Sequence, residues 1–439
     1  LLAQGRRLQE WMLTRPGLDA VDVGWSLINT RARLEHRAVL VGADREELMT
    51  RLQALIDSEP GMLAGAGMFA GPGVVSGVAG GVGKTVLVFP GQGAQWLGMG
   101  ARLLQESVVF EQKVLECAEV FAPLVEWSLI DVLQGTADPM LLERVDVVQP
   151  ALFAVMVSLA EVWRSFGVVP DAVLGHSQGE IAAACVAGAL SLEDAARVVI
   201  LRSRALRELS GRGGMASVLL PTTLVEQRLT DMPGLAVAAV NGPTTTVVSG
   251  PTEQLDAFVA ACESDGVQVR RIAVDYASHS PQVESLRQRL LEELATITPR
   301  PSRIAFYSTV TGTLLDTTEL DAGYWFRNLR DTVNFAATVQ TLLSEGHTVF
   351  VEASPHPVLT PGIEELGEQT GPRTRDIVVT GSLRRDDGGL DRLLSALAMV
   401  DVAGAGVDWT PIFDGRGATR VALPSYAFQH RRYWLDTLT

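Results

Sequence analysis

At 439 residues the chain exceeds what one hydrophobic core ordinarily serves, so two or three domains are expected. Apolar residues make up 47% and charged residues 20%, the balance of a globular protein rather than a disordered one. A formal net charge of −15 argues against nucleic acid or an anionic membrane as partner, because an acidic surface repels both. The basic pairs Arg384-Arg385 and Arg431-Arg432 are too short to form a binding stripe and read as local contacts. Cys117, Cys185 and Cys262 are scattered and odd in number, which fits buried thiols rather than a disulfide framework or a metal site. With no uninterrupted run of about 18 apolar residues and no leader-like start, a cytoplasmic location is expected. The opening Leu1-Leu2-Ala3 reads as a piece of a longer polypeptide.

In chain order, a helix is predicted over 6–13, a strand over 37–41 and a second helix over 45–56. Asp44 is placed to cap that helix and Glu47 to complete a capping box. Residues 61–83, rich in Gly and Ala with almost no charge, read as a flexible linker or exposed loop. The run ending Gly83-Lys84-Thr85 is no P-loop: the pattern needs glycine where Val78 stands, and the run precedes a strand instead of opening a helix.

From residue 85 to about 351 strands and helices alternate. Strands are predicted over 86–89, 172–174, 305–308 and 349–352, with helices over 151–166, 181–188, 192–209, 283–294 and 336–344. That rhythm implies a parallel sheet wrapped on both faces, a hydrolase-like α/β core. Residues 215–274 break it with the order βαββαβ, a ferredoxin-like unit inserted into the larger fold. After a strand at 377–380 and a helix at 389–400, an aromatic, aperiodic tail is expected to wrap back over another domain.

The strongest local signal is Gly175-His176-Ser177-Gln178-Gly179-Glu180, a G-x-S-x-G turn between an apolar strand and an Ala-rich helix. This is the setting of a nucleophile elbow: glycines permit the sharp bend, and Ser177 stands at a helix N-terminus that favours developing negative charge. A serine hydroxyl needs a base. His176 would point away along the turn, as a packing residue. His36, His347, His356 and His430 have no companion signal. His279, just after the insert rejoins the core, is the candidate. Oxyanion donors would be the N–H groups of Gln178 and of Gln92, in a glycine-rich loop after the first core strand. Arg202, on the helix after the elbow, is either a surface charge or, if turned inward, a fork for a substrate carboxylate.

Together, Phe89-Pro90-Gly91-Gln92-Gly93, Gly175–Glu180, Leu201-Arg202-Ser203, Tyr276-Ala277-Ser278-His279 and Phe326-Arg327-Asn328 resemble, in order and spacing, the acyltransferase domains of modular type I polyketide synthases. Those domains are similar to malonyl-CoA:acyl carrier protein transacylases. The resemblance implies that residues 1–84 are a ketosynthase-to-acyltransferase linker domain of small α/β type, 85–374 the acyltransferase with its insert, and 375–439 a post-acyltransferase linker. It implies Ser177 as acylated nucleophile, His279 as base oriented by the carbonyl of Asn328, and Arg202 as carboxylate clamp.

Tyr276, Ala277 and Ser278, with His176 nearby, would line the substrate. Their wording, together with Arg144–Gln149 and Gln178, is the form associated with methylmalonyl units. Ala277 in place of a bulky Phe leaves room for the α-methyl. No cofactor is implied: acyl-CoA is substrate, and the acceptor thiol belongs to the phosphopantetheine of an acyl carrier protein, which can dock on a local basic patch. An adjacent ketosynthase is the other implied partner. Two rival readings share some features. A thioesterase of the α/β-hydrolase type would use Asp275 as third triad member, and a docking module would leave the site idle.

Overall fold

Asp44 accepts the amide N–H of Glu47 at 2.8 Å, and the Glu47 carboxylate accepts that of Ala43 at 2.7 Å. This reciprocal cap starts the helix Arg45–Asp57 at the expected position. The computed structural model describes residues 1–58, 69–369 and 377–428 and divides the chain into two compact units, 1–80 with 401–439 and 81–400. His430 and the Arg431-Arg432 pair lie outside the described residues.

In the first unit the helices Leu2–Leu13, Ala20–Thr30 and Arg45–Asp57 accompany a three-stranded antiparallel sheet. Its strands are β1 (His36–Leu40), β2 (Phe69–Gly71) and β3 (Val74–Val78), in the order β1-β3-β2. The stretch expected as a flexible loop thus contains a hairpin. Gly73, at φ +65°, makes the turn, and Val74 and Val75 are buried beneath it. Over 74–77 the low charge accompanies burial. Residues 61–68 of that stretch lie outside the described residues. The aperiodic tail is fastened to the N-terminal helices by polar contacts. Arg7 donates to the Tyr426 carbonyl and Arg31 to that of Pro424, both at 2.8 Å, while Gln4 accepts the N–H of Ala427.

The second unit is built on six strands: β4 (Lys84–Phe89), β5 (Ala172–Gly175), β10 (Ala305–Ser308), β11 (Thr313–Leu314), β12 (His347–Glu352) and β13 (Val378–Gly381). Their order is β11-β10-β5-β4-β12-β13, parallel except for β11. Val86 to Phe89 are all buried, as strands covered on both faces must be. The insert supplies β6 (Gly213–Val218), β7 (Ala236–Val240), β8 (Thr246–Pro251) and β9 (Val269–Ile272), wholly antiparallel in the order β7-β8-β6-β9. With the helices Thr222–Leu229 and Thr252–Ser264, this is the expected ferredoxin-like unit. The helix Val145–Ser165 is long and apolar enough to cross a membrane, but 94% of its apolar window is buried inside the fold.

Candidate active site

Ser177 stands where β5 turns into the helix Gly179–Val186. The bend is too tight for side chains on either flank. A Cβ at Gly175 would lie 2.2 Å from the Glu180 nitrogen, and one at Gly179 would lie 2.0 Å from the Phe89 carbonyl. Ser177 itself adopts φ +54°, a left-handed conformation that L-residues rarely hold.

His279 is the second strained residue, at φ +57°. Its amide donates to the Leu329 carbonyl at 2.9 Å, and its carbonyl accepts the Ser249 hydroxyl at 3.3 Å. The ring is thereby held between core and insert. Nε2 lies 2.7 Å from Ser177 Oγ, and Nδ1 lies 2.7 Å from the carbonyl of Asp331. A carbonyl can only accept, so Nδ1 carries the proton and Nε2 is left to accept that of the serine. Burial, reinforced by the charge of Arg202, pushes the imidazole down to about 3, despite the opposing pull of the Asp331 carbonyl. It is a neutral base at neutral pH.

The orienting carbonyl therefore belongs to Asp331 and not to Asn328, as had been expected. Asn328 sits one turn earlier on the helix Ala322–Arg330, with its side chain facing the elbow. Its Nδ2 donates to the Ser177 carbonyl at 3.1 Å and to the Glu180 carboxylate at 2.9 Å. Glu180, fully buried, also accepts from Tyr324 Oη at 2.6 Å and Thr309 Oγ1 at 2.7 Å. Burial raises its pKa against those bonds. Asp275 is exposed, and its side chain accepts from Ser210, so it does not complete a triad.

Arg202 faces inward and is 1% exposed. Nη1 donates to Gln149 Oε1 at 3.1 Å, Nη2 reaches Ser177 Oγ at 3.5 Å, and Nε has no partner. Burial lowers its pKa to about 10, with Tyr276 and Glu180 pulling the other way, so the cation persists at neutral pH. From Gln149 the hydrogen bonds continue: Nε2 donates to Tyr276 Oη at 3.3 Å, and Tyr276 Oη donates to Gln92 Oε1 at 2.8 Å. This row joins the arginine to the loop after β4. That loop lies against the elbow, since a Cβ on Gly91 would be 3.9 Å from Ser177 Cβ.

Gln178 is buried with both side-chain amide atoms unpartnered. Ala277 is fully buried, and the Ser278 hydroxyl meets Met215 Sδ at 3.5 Å. His176 turns from the cleft: its Nε2 bonds Asn241 Oδ1 at 2.8 Å, and its ring packs on Phe335. Among the described residues no group of three or more His, Cys, Asp or Glu side chains is placed to hold a metal. Sequence reasoning missed Asp331, Gln149, Glu180 and Asn241 as individuals. Glu180 and Gln149 stood inside motifs already singled out.

A serine on a strained elbow with a neutral imidazole and an arginine beside it is chemistry for acyl groups, and the comparisons agree. Residues 86–407 match the acyl transferase domain family, to which the chain belongs; it is an acyltransferase. More narrowly, it is an acyltransferase domain of the modular type I polyketide synthase class. The spectinabilin polyketide synthase system protein NorA' of Streptomyces orinoci is 54% identical over 440 residues, covering 100% of this chain and 12% of the relative. Erythronolide synthase EryA2 of Saccharopolyspora erythraea is 50% identical over 438 residues, covering 99% and 12%. The chain thus spans about an eighth of such relatives. Among solved structures, the acyltransferase domain from module 8 of the salinomycin polyketide synthase superposes with a TM-score of 0.87 at 50% identity. That match covers 93% of this chain and 94% of that one.

Proposed function

We propose that this domain takes a methylmalonyl group from its coenzyme A thioester onto Ser177 and passes it to the phosphopantetheine thiol of an acyl carrier protein. The observation that carries the reading is Arg202: a buried cation in no ion pair among the described residues, its Nη2 3.5 Å from the serine hydroxyl. A buried charge without a counterion is costly unless a ligand supplies one. A carboxylated acyl group would bring that counterion, held by two parallel bonds to the planar fork.

In the first half-reaction His279 Nε2 takes the Ser177 proton as Oγ attacks the thioester carbonyl. The oxyanion is met by the backbone N–H groups of Gln92 and Gln178, and coenzyme A leaves with the proton from the imidazole. In the second, the carrier thiol gives its proton to His279 and attacks the acyl-serine, and the hydroxyl is restored. The small, buried Ala277 supports the α-methyl group, although one methyl gives only about 1–3 kcal/mol of discrimination. The linkers to a preceding ketosynthase and beyond would be residues 1–84 and the chain from about 401, which supplies the rest of the unit formed by 1–80. The boundary expected at 375 is set too early, because β13 pairs with β12 in the core sheet and residues up to 400 belong to the core unit. Among the described residues one helix is of membrane length, and its burial fits a cytoplasmic setting.

The test is a competition among malonyl-, methylmalonyl- and ethylmalonyl-CoA, read as the intact mass of the acyl-enzyme. Methylmalonyl should dominate, and a malonyl adduct in excess would overturn that choice. Thioester hydrolysis that proceeds equally fast with or without carrier would make the enzyme a thioesterase instead.

A further inference from the structure

Four parallel strands, β5, β4, β12 and β13, lie side by side and send their C-terminal ends to one edge of the sheet. Ser177 follows β5 and Gln92 follows β4. The turns after β12 and β13 carry three side chains that acyl transfer to Ser177 leaves unused: His356, Arg384 and Arg385.

These turns are built as one piece with the Gln92 loop. Glu352, buried at the end of β12, accepts the N–H groups of Val358 and Leu359 at 2.8 Å and Thr360 at 3.1 Å, which fixes the loop between them. Pro355 of that loop accepts the Trp96 indole N–H at 2.9 Å. The Arg385 amide donates to His356 Nδ1 at 3.2 Å, and its Nη2 reaches the Gln95 carbonyl at 3.4 Å. Gly388 lies so close to Trp96 that a Cβ there would sit 2.8 Å from the ring. Between them Asp386 holds φ +62°, in the left-handed region otherwise occupied, among described non-glycine residues, by Ser177 and His279.

The assembly presents donors to solvent. Arg384 and Arg385 are exposed, and no ion pair among the described residues includes them or Arg392 beneath, whose buried Nε is unpartnered. Asp386 and Asp387 share the turn, and Asp391 nearby is taken by Arg102 at 2.8 Å. Because His356 Nδ1 accepts, its neutral ring offers an N–H at Nε2. Two guanidinium forks and an imidazole N–H form a donor set suited to phosphate. The distance is also apt. β5 and β13 are three strand spacings apart, roughly 14 Å. In a pantetheine arm about twelve bonds separate the phosphate oxygen from the sulfur, equivalent to about four extended residues, again roughly 14 Å.

We infer that Arg384, Arg385 and His356 seat the 4′-phosphate of the phosphopantetheine arm, the group common to coenzyme A and the holo carrier protein, while the thioester of the one or the thiol of the other reaches Ser177. The inference rests on the thioester-transfer reading above. It is tested by acylation of Ser177 from three methylmalonyl thioesters, of pantetheine, of 4′-phosphopantetheine and of coenzyme A, together with transfer to holo carrier protein. In the wild type kcat/KM should rise with the 4′-phosphate. In R384A/R385A the ratio of phosphopantetheine to pantetheine thioester should fall about ten-fold or more toward one, with R385K between. The same variant should weaken coenzyme A and carrier protein alike. A uniform loss on all substrates would reduce the turn to a scaffold and overturn the proposal. So would a loss confined to coenzyme A, which points to the nucleotide, or to carrier protein, which points to its surface. Failure of the wild type to form an adduct with any thioester would instead sink the transfer reading itself.

Discussion

Two buried charges flank Ser177 and are treated in opposite ways. Behind the elbow, the Glu180 carboxylate receives bonds from Thr309, Tyr324 and Asn328. On the cleft side, Arg202 keeps its Nε unpartnered and enters no ion pair among the described residues, feeling Glu180 only through space, and the Gln178 side-chain amide is equally unmet. A charge whose bonds are complete belongs to the scaffold. One whose bonds are incomplete is reserved for a ligand. The difference separates what holds the nucleophile from what chooses its substrate.

The comparison can be broken in a definite order. Ser177→Ala should remove the acyl adduct from the intact mass and cut transfer by a factor on the order of 10⁴ or more, because the nucleophile belongs to neither side and everything depends on it. Arg202→Ala should cost about 100-fold or more in kcat/KM for carboxylated thioesters and far less for propionyl-CoA. Equal losses on both would show that Arg202 is not reserved for a carboxylate. Glu180→Ala should act on stability instead. It strands buried donors at about 1–3 kcal/mol each, lowering the melting temperature by several degrees, whereas Arg202→Ala should leave that temperature level or raise it. A reversal of those two thermal shifts would dissolve the distinction.

On the rate itself the smallest effect is that of pH. With His279 held near 3, acylation should stay level from about pH 5 to 8, and a limb near the ordinary histidine value of 6.5 would contradict the dry site. The unfolded chain takes up a proton on this imidazole near 6.5 and the folded one does not. Stability therefore falls as pH drops from that value toward 3, and His279→Gln should lose that slope in denaturant titrations.

The elbow was legible because its chemistry is local: two glycines that cannot carry a Cβ flank one serine between a strand and a helix. The insert was legible because its strands and helices change order abruptly. The Asp331 carbonyl was not, since every residue has a carbonyl and only the fold decides which one meets a ring. Asn328 stood close enough in sequence to be mistaken for it, and its amide turned out to serve the Ser177 carbonyl. The β2–β3 hairpin was hidden for a different reason. Glycine and alanine around Val74 and Val75 looked like a tether, and the pairing with β1 that buries them leaves no mark in local composition.

The fastening of the tail to the N-terminal helices has a consequence for biosynthesis. The bonds from Arg31 to the Leu423 carbonyl and from the Ala427 amide to Gln4 close loops of 392 and 423 residues. At ribosomal speeds of about 5–20 residues per second, the first helices wait roughly 20–80 s for the strand of chain that completes them. During that interval the other unit can already be folding, so this one should be the last to mature and the first place where a chaperone finds unfinished surface.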